Sequence, residues 1–203
     1  MRYGDVVDGL RAAYDAGADR RERMDKTPWK LDERARFADR LTERGFRRLL
    51  EIGAGSGQDS AFFQERGFEV VATDLSPEMV AHCRKKDIQA QVMDFLHLEF
   101  EPASFDAVYA LNCLLHVPNA DLPEVLRAIR AVLRRGGLFF MGVYGGEEYE
   151  GIDEIDDHDP PRFFSSRTDE QIQRFARESF EIVNFHIVEL GEASFQSLTL
   201  TRP

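Results

Sequence analysis

Cysteine is scarce: 203 residues contain only Cys83 and Cys113, and neither has a CxxC partner. That excludes a disulfide framework and fits a reduced compartment. Long apolar runs are missing, since none approaches the ~20 residues that a membrane span needs. The opening Met1-Arg2-Tyr3-Gly4-Asp5 lacks the basic-then-apolar run of a secretory signal. A cytoplasmic location is therefore expected. Positive charge is also short, with 26 Lys and Arg against 37 Asp and Glu and a net charge of -11. Such a balance argues against sequence-independent affinity for nucleic acid or anionic membrane, both of which attract basic surfaces. Arg residues do crowd the stretch 20–48, but acids are interleaved with them, as on solvated helix faces. Repeats and low-complexity tracts are absent.

What is present is a globular balance of 43% apolar and 31% charged residues, at a length suited to one ordinary domain. From residue 47 onward, short apolar runs alternate with helical patterns, the signature of a parallel sheet with crossover helices. Residues 47–52, 69–73, 89–93, 107–111 and 138–144 read as strands. Residues 60–66 fit a helix that Gly67 ends, and Ser76-Pro77 opens another as N-cap and first-turn proline, running to about Lys86. A further helix is expected over 122–134, ending at Gly136-Gly137. Thr168-Asp169-Glu170-Gln171 is a capping box for a helix through about Glu178. Two β-patterned runs follow, 180–190 and 195–201, and a gap so short permits an antiparallel hairpin but no parallel crossover. Residues 1–44 carry two helices with Thr27-Pro28-Trp29 between them.

Residues 49–57 read Leu-Leu-Glu-Ile-Gly-Ala-Gly-Ser-Gly, a buried strand entering a glycine-rich turn and then a helix. Gly53 and Gly55 let the backbone turn sharply and let a ligand approach where a Cβ would clash. Backbone N–H groups at the following helix start can take a carboxylate or phosphate. The dinucleotide spacing GxGxxG is not met, because its third glycine position holds Gln58. Asp74 closes the second strand about 20 residues beyond the first glycine, where a carboxylate can accept both ribose hydroxyls. Asp94 ends the third strand and could accept a hydrogen bond from an adenine amino group, with Phe95 flanking the ring.

In this order the motifs resemble the class I SAM-dependent (S-adenosylmethionine-dependent) methyltransferases, small-molecule branch, over about residues 45–203. Glu51-x-Gly53-x-Gly55-x-Gly57 is similar to the first motif of that family, and Asp74 and Asp94-Phe95 to its ribose and adenine positions. Residues 105–118 and 132–144 are similar to the fourth-strand and fifth-strand segments. The resemblance implies an α/β three-layer, Rossmann-like sandwich with a seven-stranded mixed sheet, order 3-2-1-4-5-7-6, the last hairpin antiparallel. It implies a single domain over 1–203, with 1–44 as helical cover and 45–203 as core. It also implies cofactor contacts from Glu51, Gly53, Ala54, Gly55, Asp74, Leu75, Asp94, Phe95 and Asn112. Tyr14 and Trp29 become lid candidates, and Tyr144 a wall of the acceptor side.

Methyl transfer asks mainly for alignment, since the sulfonium already activates the methyl group; positioning of this kind is worth up to ~7–11 kcal/mol. A base is needed only where the acceptor must lose a proton, and His116, after strand four, is the best-placed candidate. His82 and His97 read as surface residues. Residues 145–161 hold eight acids, one His and no Lys or Arg; as a mobile lid they could select a cationic acceptor or exclude anionic ones, and as a flexible loop they would be solvated. No metal-site spacing emerges from them. Arg162 and Arg167 could hold a carboxylate or phosphate on a substrate. The reading is a methyltransferase acting on a small molecule, without nucleic-acid or membrane partners. A SAM-binding module without catalysis and an NAD(P)-dependent oxidoreductase are its rivals, and for the second the glycine spacing is wrong.

Overall fold

Five apolar runs form parallel strands: β1 (Arg48–Ile52), β2 (Glu69–Asp74), β3 (Gln89–Val92), β4 (Phe105–Leu111) and β5 (Leu133–Gly145). The computed structural model describes residues 1–191 and 193–203. Neighbouring side chains along each strand point to opposite faces, and both faces are covered, so the strands read as unbroken apolar runs. Leu50, Val71, Val108 and Phe139 join one core, while Leu49, Val70, Ala107 and Leu138 join another on the opposite face. The crossover helices are α3 (Gln58–Glu65), α4 (Pro77–Arg84) and α5 (Leu122–Val132). Their ends follow local chemistry: the Ser76 hydroxyl accepts from the Met79 N–H at 3.1 Å, and Gly67 leaves α3 at φ +87°.

The N-terminal helices α1 (Tyr3–Glu22) and α2 (Pro28–Glu43) pack on different faces of the sheet. Tyr3, Val6 and Leu10 of α1 enter the core that holds Leu50 and Ile52. Phe37, Ala38 and Leu41 of α2 enter the core that holds Leu49 and Tyr109. The link between the two helices crosses the edge of the sheet where the parallel strands end, since it lines the same cavity as the glycine turn after β1. Each large apolar side chain buried is worth ~1.5–3 kcal/mol, so α1 is docked firmly on the sheet.

Two short strands, β6 (Tyr149–Ile152) and β7 (Phe163–Ser166), pair antiparallel as a separate ribbon. Helix α6 (Asp169–Arg177) carries the expected capping box at Thr168, and β8 (Glu181–Leu190) and β9 (Ala193–Thr201) form the antiparallel hairpin. The large sheet runs β3-β2-β1-β4-β5-β9-β8. Without the inserted ribbon, that is the 3-2-1-4-5-7-6 order implied by the family resemblance. Among the described residues no helix is long and apolar enough to cross a membrane.

Three local expectations are corrected. Helix α5 stops at Val132, because Leu133 pairs with Phe105 of β4 before a bulge, so the strand begins ahead of the two glycines. Part of the acidic stretch 145–161 is strand β6 rather than plain loop. His82 is buried, not a surface residue; α1 covers it, and Asp19 lies 3.1 Å from its Nε2.

Candidate active site

The turn after β1 is shaped by its glycines in two ways. Gly53 has φ +62°, and a Cβ there would overlap the Cys113 side chain, so the position is closed by packing. Gly55 has φ +56° with nothing within 4 Å of where its Cβ would stand, so the position faces open space. Asp74, at the end of β2, holds this turn: its carboxylate accepts from the Gly55 N–H at 2.7 Å and the Ser76 N–H at 2.9 Å. Burial raises its pKa, and those two N–H donors oppose the rise.

Glu51 sits beneath the turn, 3% exposed, accepting a hydrogen bond from the Ser60 hydroxyl. Burial first, then the neighbouring Asp59 charge, push its carboxyl up to about 8. Asp59, in the first turn of α3, is itself buried and bridged by Lys26 and Arg34, each at 2.8 Å.

A cavity of about 410 Å³ opens over the turn. It is lined by Glu51 and residues 53–56 on one side, and by Tyr14, His116, Tyr144, Arg162 and Phe164 on the other. A second, narrower cavity of about 60 Å³ adjoins it beside Asp74, Leu75 and Phe95, under Tyr3 and Leu10 of α1. Tyr3 stacks on Phe95 there, with centroids 5.8 Å apart. At that volume the second cavity falls well short of the ~300 Å³ at which ligand pockets begin, so α1 constricts it.

Asn112 lines both cavities. Its backbone is left-handed at φ +56°, anchored by its N–H on the Gly142 carbonyl at 2.7 Å. Its Oδ1 is buried with no hydrogen-bond partner among the described residues. An orphaned acceptor of this kind calls for a donor from a ligand.

On the far wall, His116 is buried between two partners. Its Nδ1 lies 2.7 Å from the Phe163 carbonyl, which can only accept, so Nδ1 carries the proton. Its Nε2 therefore accepts from the Tyr14 hydroxyl at 2.5 Å. Burial drives the imidazole down to about 3. Arg162 donates to the Tyr14 oxygen at 3.1 Å and grips Asp156 through Nε at 2.8 Å and Nη2 at 2.7 Å. That paired guanidinium holds Asp156 well below the usual carboxylate range.

The structure thus brings together Glu51, Gly53, Ala54, Gly55, Asn112, Tyr14, His116, Tyr144 and Arg162 around one cavity, and Asp74, Leu75 and Phe95 around its neighbour. Three candidates stand apart. Asp94 lines neither cavity; its Oδ1 accepts from the Leu96 and His97 N–H groups at 2.8 and 3.0 Å, and the His97 ring closes on it. Trp29 packs on Phe195 at 4.5 Å and anchors α2, leaving its neighbour Lys30 at the cavity wall. Arg167 is 1% exposed and lines neither cavity. It donates to Val117 O at 2.6 Å, Asn119 Oδ1 at 2.7 Å and Ser165 O at 3.1 Å, tying β7 to the turn after β4.

The acidic stretch turns toward α1 rather than into the cavity. Asp157 pairs with Arg20 at 2.9 Å, and the His158 ring lies 5.9 Å from that of Tyr14. Asp156, Asp157 and His158 bring ligand-type atoms within 4.8 Å of one another, but Arg162 and Arg20 already engage the two carboxylates.

Sequence reasoning passed over Tyr3, Leu10, Arg21, Lys26, Lys30 and Phe164. For α1 a signal existed: Tyr3, Leu10, Tyr14 and Arg21 are spaced 7, 4 and 7 apart and share one helical face.

Comparison with known proteins bears on the same regions. A family model described as a methyltransferase domain matches residues 49–137. A ubiquinone biosynthesis O-methyltransferase from Xanthomonas campestris pv. campestris is 35% identical over 102 residues, 46% of this chain and 41% of that protein. The chain therefore spans less than half the length of that curated relative. Among solved structures, 1,6-didemethyltoxoflavin-N1-methyltransferase from Burkholderia thailandensis, with its namesake compound and S-adenosylhomocysteine bound, superposes with a TM-score of 0.75. The identity is 21%, covering 100% of this chain and 91% of that one. Magnesium protoporphyrin IX methyltransferase from Synechocystis PCC 6803, with bound S-adenosylhomocysteine (SAH), gives 0.73 at 14% identity, covering 97% and 99%. At these identities the structural likeness is one of fold.

Proposed function

We propose that the chain transfers a methyl group from SAM to a small molecule, on the premise that residues 49–137 match a family model described as a methyltransferase domain. The observation that carries this is the junction of β1 and β2, where a glycine turn open at Gly55 faces a buried carboxylate, Asp74, beside a cavity with an orphaned acceptor, Asn112 Oδ1.

In this reading Asp74 takes the ribose hydroxyls, while Leu75 and Phe95 flank the adenine. The backbone at Gly53, Ala54 and Gly55 lies along the methionyl part, and Asn112 Oδ1 and Glu51 receive its ammonium. When bound, SAM supplies a methyl group already activated on a sulfonium. The larger cavity then holds the acceptor between Tyr14, Tyr144, Phe164 and Arg162. Its walls orient the nucleophile and keep water out.

His116 is a poor direct base, because its lone pair is occupied by Tyr14 and burial disfavours its cation. A proton from the acceptor would reach it only by passing through the Tyr14 oxygen. Acceptors that arrive already ionised need no such step.

Calorimetry with SAH tests the cofactor half. Asp74→Asn should weaken binding about 10- to 150-fold, the equivalent of one charge-assisted hydrogen bond of ~1.5–3 kcal/mol. Unchanged affinity removes the cofactor assignment. Release of SAH from SAM in the presence of a metabolite library separates an enzyme from a SAM-binding module.

A further inference from the structure

The cavity wall across from the glycine turn carries positive charge that the fold leaves unmatched. Lys30, in the first turn of α2, is half-buried at this wall, with its Nζ 5.2 Å from the centroid of the Trp29 ring and 5.3 Å from that of Tyr144. Arg21, in the last turn of α1, lines both cavities. Neither has an ion-pair or hydrogen-bond partner among the described residues. Other cations nearby are matched: Lys26 and Arg34 share Asp59, Lys86 meets Glu22, and Arg162 holds Asp156.

The acids lining the cavity do not neutralise this pair. Asp59 is already shared by two cations, and Glu51 holds its proton to about 8. Asp25 sits exposed on the rim. Burial, then repulsion from Arg21 and Lys26, bring the Lys30 ammonium down to about 8. A partly desolvated cation beside like charges is unfavourable until an anion joins it. In a chain of net charge -11, such a cluster is not a general surface property.

Position separates this wall from the cofactor side. Tyr144 stands at the end of β5, and β4 lies between β5 and β1. Adjacent strands are ~4.8 Å apart, so the end of β5 at Tyr144 lies two strand spacings along the sheet edge from the end of β1, with Asn112, just after β4, between them and its side chain reaching Tyr144. The aromatic rings of Tyr14, Tyr144 and Phe164 line the same cavity.

We propose that the methyl acceptor is a ring-bearing anion, its carboxylate or phosphate held by Lys30 and Arg21 and its ring set among Tyr14, Tyr144 and Phe164. This rests on the methyltransferase reading and adds the substrate class. It reverses the cation preference that the acidic stretch 145–161 suggested, because no acid of that stretch lines the cavity, and Asp156 and Asp157 are paired with Arg162 and Arg20.

The test begins with SAH binding to the wild-type chain, since its failure would sink the methyltransferase reading itself. SAM-loaded protein is then offered a library of ring compounds in matched carboxylate, phosphate, neutral and amine forms, and products are read by mass spectrometry. Methylated products are expected among the anions, with the carboxylate and phosphate arms telling which acid group is preferred. Lys30→Met should raise KM for the anion at least tenfold while leaving SAH affinity within twofold, and Lys30→Arg should restore most of the loss. Methylation confined to neutral or amine members overturns the proposal, as does SAH binding with no anion methylated. A large loss of SAH affinity in Lys30→Met also overturns it, by assigning the cation to the cofactor's own carboxylate.

Discussion

The two sides of the cavity are built on different principles. On the turn side, Glu51, Gly53, Gly55 and Asp74 lie within 24 positions of one another and are joined through adjacent strands and backbone N–H groups. On the cover side, Tyr14 meets His116 across 102 positions and Arg162 across 148. The electrostatics also run in opposite directions. Burial raises Glu51 to about 8 and lowers His116 to about 3, so each group is held neutral by desolvation on its own side. Neutrality without a ligand suits a site that receives a charged molecule. The difference teaches that the turn is a local device, while the cover exists only once distant segments have docked.

The sharpest way to break this comparison is at Gly55. Space is open where its Cβ would stand, so Gly55→Val should fold, with a strain of ~1–2 kcal/mol from its positive φ. Affinity for SAH should fall more than 100-fold, because the new side chain fills the cavity floor. Normal binding by a variant with wild-type circular dichroism would move the ligand away from the turn. Gly53→Val meets Cys113 instead and should lose stability outright; that contrast checks that the two glycines have different tasks.

A second effect, of a few kcal/mol, comes from pH. The folded His116 pKa of about 3 lies below its ordinary 6.5. Its stabilising contribution is therefore present above 6.5 and is lost as pH falls toward 3, where the unfolded chain binds a proton that the fold refuses. Glu51 moves the other way, from 4.5 to about 8. Its contribution is full below 4.5 and is lost as pH rises toward 8. Urea midpoints measured between pH 3 and 9 should therefore hold a plateau between about 4.5 and 6.5, where the two slopes cancel, and fall on either side of it. Glu51→Gln should flatten the alkaline limb and leave the acid limb, which His116 shares with Asp156. An unchanged alkaline limb in Glu51→Gln would show that the carboxyl is ionised in the free protein.

The smallest expected signal concerns the cover. Helix α1 is docked and narrows the cavity beside Asp74 to about 60 Å³, so admitting an adenosyl group requires it to shift. Hydrogen exchange should show that SAH alters protection at α1 and at 145–161 as well as at the glycine turn. Protection confined to the turn would make the cover a rigid part of the frame, and entry would have to come through the larger cavity.

Legibility in the sequence follows the same division. The large sheet, its terminal hairpin and the glycine turn with Asp74 could be read ahead of the structure, because apolar period, capping residues and turn glycines act within a few positions. The β6–β7 ribbon escaped notice: its strands are only four residues each and β6 lies in an acidic stretch with little β-pattern. Arg167 read as a substrate anchor and His82 as a surface group, yet the first satisfies three neutral acceptors in the interior and the second lies under α1. Asp59 carried no signal in the sequence and is a buried hub for Lys26 and Arg34.

By itself, then, the sequence determined which segments form the large sheet and its crossover helices, where the chain turns on glycine, and which carboxylate ends β2. Those properties depend on neighbours in the chain. Tertiary structure alone decided which charges are matched. Arg20, Arg21, Lys26, Lys30 and Arg34 are alike in composition, but docking gives Arg20 to Asp157 and hands Lys26 and Arg34 to Asp59. It leaves Arg21 and Lys30 facing the cavity. A charge is neutralised by what lies within a few ångströms of it in space, and no spacing along the chain records that distance.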